Sequence, residues 1–408
     1  MGSVPWSLPA LRREWNRVKG ELAPWWAENS KEAYSSGLDA LARAFKNYFG
    51  SCGGGRRGRR VGWPKPKRRH GGRRSFRVTT GSFGVVDGRH VRLPRIGVIR
   101  TNEATTSLVD RLEAGTARVL AATVSERAGR WWVSFTCEVE RVESAPTRPQ
   151  SVVGVDLGVS HLAVLSTGEM IPNPKPLSKY QRRMARLQRQ CSRRRQPANG
   201  RRPSKRWQRS RAALARTHHQ VAHARLDGLH KLTTALAAGH GTIVVEDLNV
   251  AGMTTTAKGS GRWRGKAGLN RAILDAAFGQ FRRQLAYKSV WYGSRLVVAD
   301  RWHPSSKTCS GCTAVKAKLS RTQRTFRCGR CGLVIDRDVN AAINLASLAE
   351  AVGTASGAGT GRNQPPANAQ GEERLMPTGR CSSTNCEDGT GLTRPDKTVT
   401  AAEKSTAA

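Results

Sequence analysis

Two pairs of cysteines and a few isolated acids are the residues of this chain whose types and spacing could do chemistry. Cys309-x2-Cys312 and Cys328-x2-Cys331 are separated by fifteen residues, which is the spacing of a four-cysteine zinc site. Each pair brings two thiolates within reach of one ion, and a hairpin between the pairs completes a tetrahedron. Gly311, Gly329 and Gly332 permit tight turns whose amides point at sulfur. The spacing favours Zn2+ over iron, and four thiolates leave no open position, so the expected role is structural. Cys52, Cys137, Cys191, Cys381 and Cys386 lack comparable partners.

The acids stand out because the chain has so few: 70 Lys and Arg face 29 Asp and Glu, a formal net charge of +41. Asp156 follows VVGV and Glu246 follows TIVV, both runs with the profile of a buried strand. A carboxylate in such a place is costly unless it is paired or bound to metal. Either one alone reads as a strand-terminal acid facing solvent or bonding a turn. With a third acid at a helix head, Asp338, the set becomes what two Mg2+ ions about 4 Å apart need for in-line phosphodiester hydrolysis. Asp338 also reads as a helix N-cap, and Asp336 lies two residues before it.

The charge itself predicts a polyanionic partner, through phosphate contacts and counterion release. It is concentrated in residues 1–350; residues 351–408 hold six basic and six acidic side chains. Between Glu169 and Asp227 there is no acid, while residues 182–216 contain fourteen Lys and Arg. A solvated helix normally mixes signs to form i,i+4 pairs. Arg182, Arg183, Arg186, Arg193, Arg194, Arg201 and Arg202 are therefore candidate phosphate contacts. Lys65, Lys67 and Arg68, in a Gly- and Pro-interrupted stretch with eleven basic residues between Arg56 and Arg77, form a second group. No amphipathic basic helix or long apolar run suggests a membrane partner. Paired cysteines read as metal ligands place the chain in a reducing cytoplasm.

These residues need elements to position them. Helical periodicity runs through residues 8–49, and the basic loop follows, giving a segment 1–74. Residues 75–150 read as strands separated by turns, a small β-barrel or sheet. Residues 151–300 hold a hairpin, VVGVDLGVSHLAVLS, and a long basic helical hairpin over 177–240. A buried-type strand, TIVVEDL, follows, then a helix over 271–289 and a strand, RLVVAD. The ribbon occupies 301–335, and NAAINLASLAEA predicts a last helix within 336–352. Residues 353–408, poor in large apolar groups, are expected to be disordered.

The motifs GVDLGVSHLAVLS, VVEDLNVAGM, RWHPSSKTCSGC and CGRCGLVIDRDVNAAINL, with the segment NRAILDAAFGQFRRQLAYKSVWYG, resemble the TnpB family of bacterial insertion sequences, relatives of type V CRISPR effectors. They cover most of 152–345 in the family's order. Weaker matches, among them AYSSGLDALARAFKNYF, WPKPKRR and GRWWVSF, reach upstream. The resemblance implies a multi-domain α/β protein: an RNase H-like RuvC nuclease split along the chain, with the zinc ribbon inserted before its last helix. A partial helical recognition segment and a β-barrel-like wedge domain precede it. It implies an RNA-guided DNA endonuclease that uses Mg2+, with a guide RNA from the transposon end and target double-stranded DNA as partners, in the bacterial cytoplasm and on the nucleoid when bound to DNA. By motif position Asp156, Glu246 and Asp338 match the catalytic triad, because the family's aspartate immediately precedes x-N-A-A. The basic hairpin would face the guide–target heteroduplex through its backbone. Members usually open with a strand bearing an Arg-x-Tyr-Pro-like segment, so the expectation here is a shortened N-terminus. The competing expectations are a non-cleaving nucleic-acid-binding regulator of transposition, and a transposase acting in strand transfer.

Overall fold

The computed structural model describes residues 6–354 except 57, 67–73, 143, 195–202, 256–262 and 321. The expectations for Lys67, Arg68, Arg201, Arg202 and most of the 353–408 tail lie outside the described residues. The chain divides into two compact units near Arg141 and Val142, and each is described by itself.

The first unit begins with α1 (Leu8–Leu22), a 3-10 turn (Pro24–Glu28) and α2 (Lys31–Cys52). Ser30, before α2, accepts a hydrogen bond from the Glu32 amide, as an N-cap does. Six strands follow: β1 (Ser75–Val78), β2 (Gly84–Asp87), β3 (His90–Leu93), β4 (Gly97–Arg100), β5 (Ala117–Arg127) and β6 (Arg130–Val139). They form two antiparallel sheets, β1-β5-β6 and β2-β3-β4, with no ladder closing them into one barrel among the described residues. One core of Val91, Leu93, Leu108, Val124 and Phe135 holds both sheets. Between them lies α3 (Thr106–Glu113), where the sequence reads as a turn; burial of Leu108 in the shared core stabilises this two-turn helix.

The second unit is a mixed α/β layer structure. Its strands are β7 (Arg148–Leu157), β8 (His161–Leu165), β9 (Met170–Pro172), β10 (His240–Glu246) and β11 (Arg295–Ala299), in the order β11-β10-β7-β8-β9. β10 is parallel to both β7 and β11, and β7, β8 and β9 run antiparallel in sequence. The helices between these strands are α4 (Pro176–Arg193), α5 (Lys205–Gly239), α6 (Val250–Met253), α7 (Trp263–Ala276) and α8 (Phe278–Tyr292). After the hairpin β12 (Thr325–Arg327) and β13 (Val334–Asp336) comes α9 (Arg337–Thr354). No helix among the described residues is long and apolar enough to cross a membrane.

Alternation along the central strands assigns the faces. Val153, Val155, Ile243 and Val245 pack with Leu229 and Leu236 of α5 and Phe281 and Leu285 of α8. Val152, Val244 and Val297 pack on the other face, against Leu345 and Ala349 of α9. Burial on both faces explains the continuous apolar runs. The helix expected over 271–289 is instead two, because Ala277 adopts a left-handed conformation (φ 54°). That break aims Phe278 and Phe281 into the core, where they are 3% and 0% exposed.

Candidate active site and metal centre

Asp156 and Glu246 stand one position beyond the paired residues Val155 and Val245, on neighbouring parallel strands. Carboxyl ends of parallel strands are where α/β folds place their ligands. Strand alternation puts Asp156 on the face of Gly154 and Glu246 on the face of Val244, which is the face α9 covers. At Gly154 the helix touches the strand: a Cβ there would lie 1.9 Å from the Ala342 carbonyl oxygen and 2.6 Å from the Ala346 amide nitrogen. From that contact, two residues along β7 lead about 6.6 Å to Asp156, and four residues back along α9 lead about 6 Å to Asp338. The third acid therefore arrives beside the first.

The electrostatics agree. Burial, then Glu246, then Asp338 push the Asp156 carboxyl up to about 7, against the opposing pull of Arg337. Glu246 accepts a 2.5 Å hydrogen bond from the Ser305 hydroxyl. Asp338 is only 19% exposed and takes guanidinium contacts from Arg324 (3.3 Å) and Arg337 (3.2 Å). Asp336 has a different job. Its Oδ1 accepts from the amides of Asp338 (2.8 Å) and Val339 (3.2 Å), so it caps α9. Asp247, the neighbour of Glu246, is bonded by Arg282 and Arg301 and lines an open cavity of about 390 Å3 with the exposed Trp302.

The four cysteines converge. Their sulfurs all lie within 4.8 Å of one another, with Cys309–Cys331 and Cys312–Cys328 at 3.6 Å. A tetrahedral zinc with bonds of about 2.3 Å sets sulfurs about 3.8 Å apart, so the donor set fits zinc. Backbone amides of Cys331 and Arg330 lower the Cys328 thiol to about 6, while the other three sulfurs push Cys331 up to about 12, as expected of thiols close enough to feel one another's charge. Among the described residues this is the one group of three or more His, Cys, Asp or Glu close enough to share an ion. The three carboxylates are more widely spread. Sharing two ions about 4 Å apart does not require all three to reach one point.

Arg182, Arg183, Arg186 and Arg193 are exposed on α4, whose opposite face buries Met184 and Leu187. Arg194 is exposed too, but its guanidinium bonds the Arg206 carbonyl and Ser210 hydroxyl of α5 across the hairpin. Lys65 is exposed in the first unit. Three positions escaped the sequence reading. Asp275, 5% exposed, accepts from the Leu177 amide at the start of α4 and pairs with Arg225 of α5 at 2.6 Å, which fixes the base of the hairpin. Asn340 and Asn344, 0% and 6% exposed, bond the chain around the first cysteine pair. Both lie in the CGRCGLVIDRDVNAAINL motif, Asn340 as the asparagine of x-N-A-A, but the motif gave no sign of what they bond.

Comparison with known proteins gives this arrangement a family. A "Putative RNA-guided DNA endonuclease" of Mycobacterium tuberculosis is 39% identical, covering 94% of this chain and 85% of that protein. The chain belongs to the TnpB family. Other relatives include a protein of the same name from Streptomyces pristinaespiralis (36% identical, 82% of this chain and 75% of that protein) and the "Putative RNA-guided DNA endonuclease InsQ" of Escherichia coli K12 (35%, 80% and 77%). A family model described as "Probable transposase" matches residues 134–257, and one described as "Cas12f1-like, TNB domain" matches residues 278–345. Asp156 and Glu246 fall in the first match, and Asp338 and the four cysteines fall in the second. A solved Cas12f1–sgRNA–target DNA complex aligns over 83% of this chain and 79% of its own, with a TM-score of 0.47 and 15% identity.

Proposed function

We propose that this chain is a transposon-associated, RNA-guided DNA endonuclease of the RNase H-like RuvC type, in which Asp156, Glu246 and Asp338 hold the catalytic Mg2+ ions. The observation that carries the reading is the placement of the acids. Two end adjacent parallel strands on one face, and the third opens the helix lying on that face. Burial, together with the neighbouring Glu246 and Asp338, pushes Asp156 to about 7; a divalent cation relieves the negative charge of such a site, and its hard oxygens suit Mg2+. Bound there, the ions supply an activated water and charge stabilisation at phosphorus and the leaving oxygen.

The protein's own groups have distinct parts. Asp156 gives up its proton before it can act as a ligand. Asp338 must exchange its contacts with Arg324 and Arg337, two cations that hold it in the meantime. The exposed arginines of α4 hold the backbone of the guide–target heteroduplex without reading its sequence. In this reading residues 151–300 and 336–352 are the nuclease core, 301–335 the zinc ribbon, and 1–74 and 75–150 the recognition and wedge parts. The relatives named as RNA-guided DNA endonucleases support the same partners here: a guide RNA from the transposon end and target double-stranded DNA.

One observation favours a second reading, a regulator that binds without cutting: the two arginines on Asp338. A single experiment separates them. The chain is coexpressed with RNA transcribed from its own locus, and the purified complex is given matched duplex DNA and Mg2+. The nuclease reading expects cutting by the wild type and none by Asp156→Ala, with RNA copurifying in both. A complex that binds RNA and target yet leaves the DNA whole overturns it.

A further inference from the structure

Six residues, Ser305 to Ser310, connect Glu246, the last helix and the cysteine ribbon. The Ser305 side chain, in a residue only 4% exposed, donates to Glu246 Oε1. Its carbonyl accepts from Asn344 Nδ2 of α9 at 2.7 Å. The Thr308 carbonyl accepts from both Asn340 and Asn344 at 2.7 Å, and the Ser310 amide donates to Asn340 Oδ1 at 2.9 Å. Between Thr308 and Ser310 sits Cys309, 0% exposed, the first sulfur of the ribbon. Asp338, on the same helix, precedes Asn340 by two residues.

Resting on the nuclease reading, we propose that Ser305 is a positioning residue for Glu246, and that metal loading of the four-cysteine ribbon sets where Ser305 stands. Glu246 is the last residue of β10, outside any helix, and its side chain accepts from the Ser305 hydroxyl. A carboxylate free to rotate would offer an ion several rotamers; the Ser305 hydroxyl, held from its backbone by α9, selects one. Hydrogen bonds of this kind to a ligating carboxylate typically matter 10–100-fold in metal affinity (roughly). The same six residues begin the first cysteine knuckle, so the ribbon and Glu246 share one short stretch of chain, clamped twice by α9 and buried at Ser305 and Cys309. The ribbon thus serves the chemistry directly as well as by holding the helix of Asp338.

The test uses the full chain with its guide RNA and Mn2+ as a spectroscopic probe, read by electron paramagnetic resonance. Ser305→Ala, Ser305→Thr and the ribbon variant Cys312→Ser are compared with wild type for Mn2+ half-saturation, zinc content and melting. Ser305→Ala is expected to keep its zinc and its melting temperature while half-saturation rises about tenfold; Ser305→Thr, which keeps the hydroxyl, stays near wild type. Cys312→Ser is expected to raise half-saturation as well, and adding it to Ser305→Ala is expected to give less than the product of the two effects. Unchanged Mn2+ binding in Ser305→Ala, against a wild type that binds, overturns the inference alone. Zinc loss in Ser305→Ala overturns it in favour of a structural role, and fully multiplicative effects overturn the link to the ribbon. If Asp156→Asn leaves wild-type Mn2+ binding intact, the nuclease reading fails and takes the inference with it.

Discussion

Gly154 of β7 and Ala342 of α9 meet backbone to backbone, so closely that a Cβ on Gly154 would lie 1.9 Å from the Ala342 carbonyl oxygen. Strand and helix both run from this contact toward the acids, and its closeness decides whether Asp156 and Asp338 share one space. Gly154→Ala is expected to force α9 off the sheet, at a cost of about 1–3 kcal/mol or more for overpacking. Chemical denaturation should register the loss. DNA cutting should fall further than stability does, because a displaced Asp338 cannot serve a site that demands ångström precision. A variant as stable and active as wild type would contradict the contact.

Asp156 ties stability to pH. Its carboxyl is raised from the usual 3.8 to about 7, chiefly by burial, then by Glu246 and Asp338. Between those two values the folded chain holds a proton that the unfolded chain has released, so this group's contribution to stability falls as pH rises through the window. The metal-free protein is expected to melt at lower temperature at pH 7.5 than at pH 5, and Asp156→Asn to flatten that part of the profile. Divalent-ion affinity should run the opposite way, tightening toward pH 7 and levelling above it, because the ion displaces the proton.

Asp336 and Asp338 separate cap from candidate ligand. Asp336→Ala removes the acceptor of two amides and is expected to cost about 0.5–2 kcal/mol, with DNA cutting retained below the melting transition. Asp338→Ala is expected to leave melting close to wild type and to abolish cutting. Complete loss of cutting in Asp336→Ala with normal cutting in Asp338→Ala would reverse the assignment.

Removing the ribbon's ligands should be felt beyond the ribbon. Serine at Cys309 and Cys328 is expected to release zinc, measured by elemental analysis, and to lower the melting temperature. The hairpin core of these two cysteines and Phe326 is small, and a structural metal contributes folding energy directly. An unchanged melt in the zinc-free variant would count against a structural centre.

The exposed arginines of α4 predict a salt signature. Each phosphate contact contributes about 0.9 to the slope of log affinity against log salt. Replacing Arg182, Arg183 and Arg186 with alanine is expected to weaken binding of a guide–target heteroduplex at 50 mM salt and to shallow that slope by about 2–3. Arg194→Ala should shift it less, since that side chain bonds α5. Equal slopes for wild type and the triple variant would place the heteroduplex elsewhere.

Taken alone, the sequence determined whatever is written in contiguous residues. Cysteine spacing, apolar runs ending in Asp156 and Glu246, an acid-free basic stretch over α4 and the first part of α5, and an alanine-rich last helix all depend on neighbours a few positions apart, where periodicity and turn chemistry act. Tertiary structure decided what depends on residues far apart in the chain. The touch of Gly154 on Ala342, the hydroxyl of Ser305 on Glu246, and the clamp of Asn340 and Asn344 on Thr308 join segments 32 to 188 positions apart only through packing. The break at Ala277 and the short helix α3 belong there too: an alanine, not Gly or Pro, takes the left-handed turn of the first, and a shared core sustains the second. Local patterns name the acids and the thiols, while close packing of α9 on β7 brings the acids beside one another.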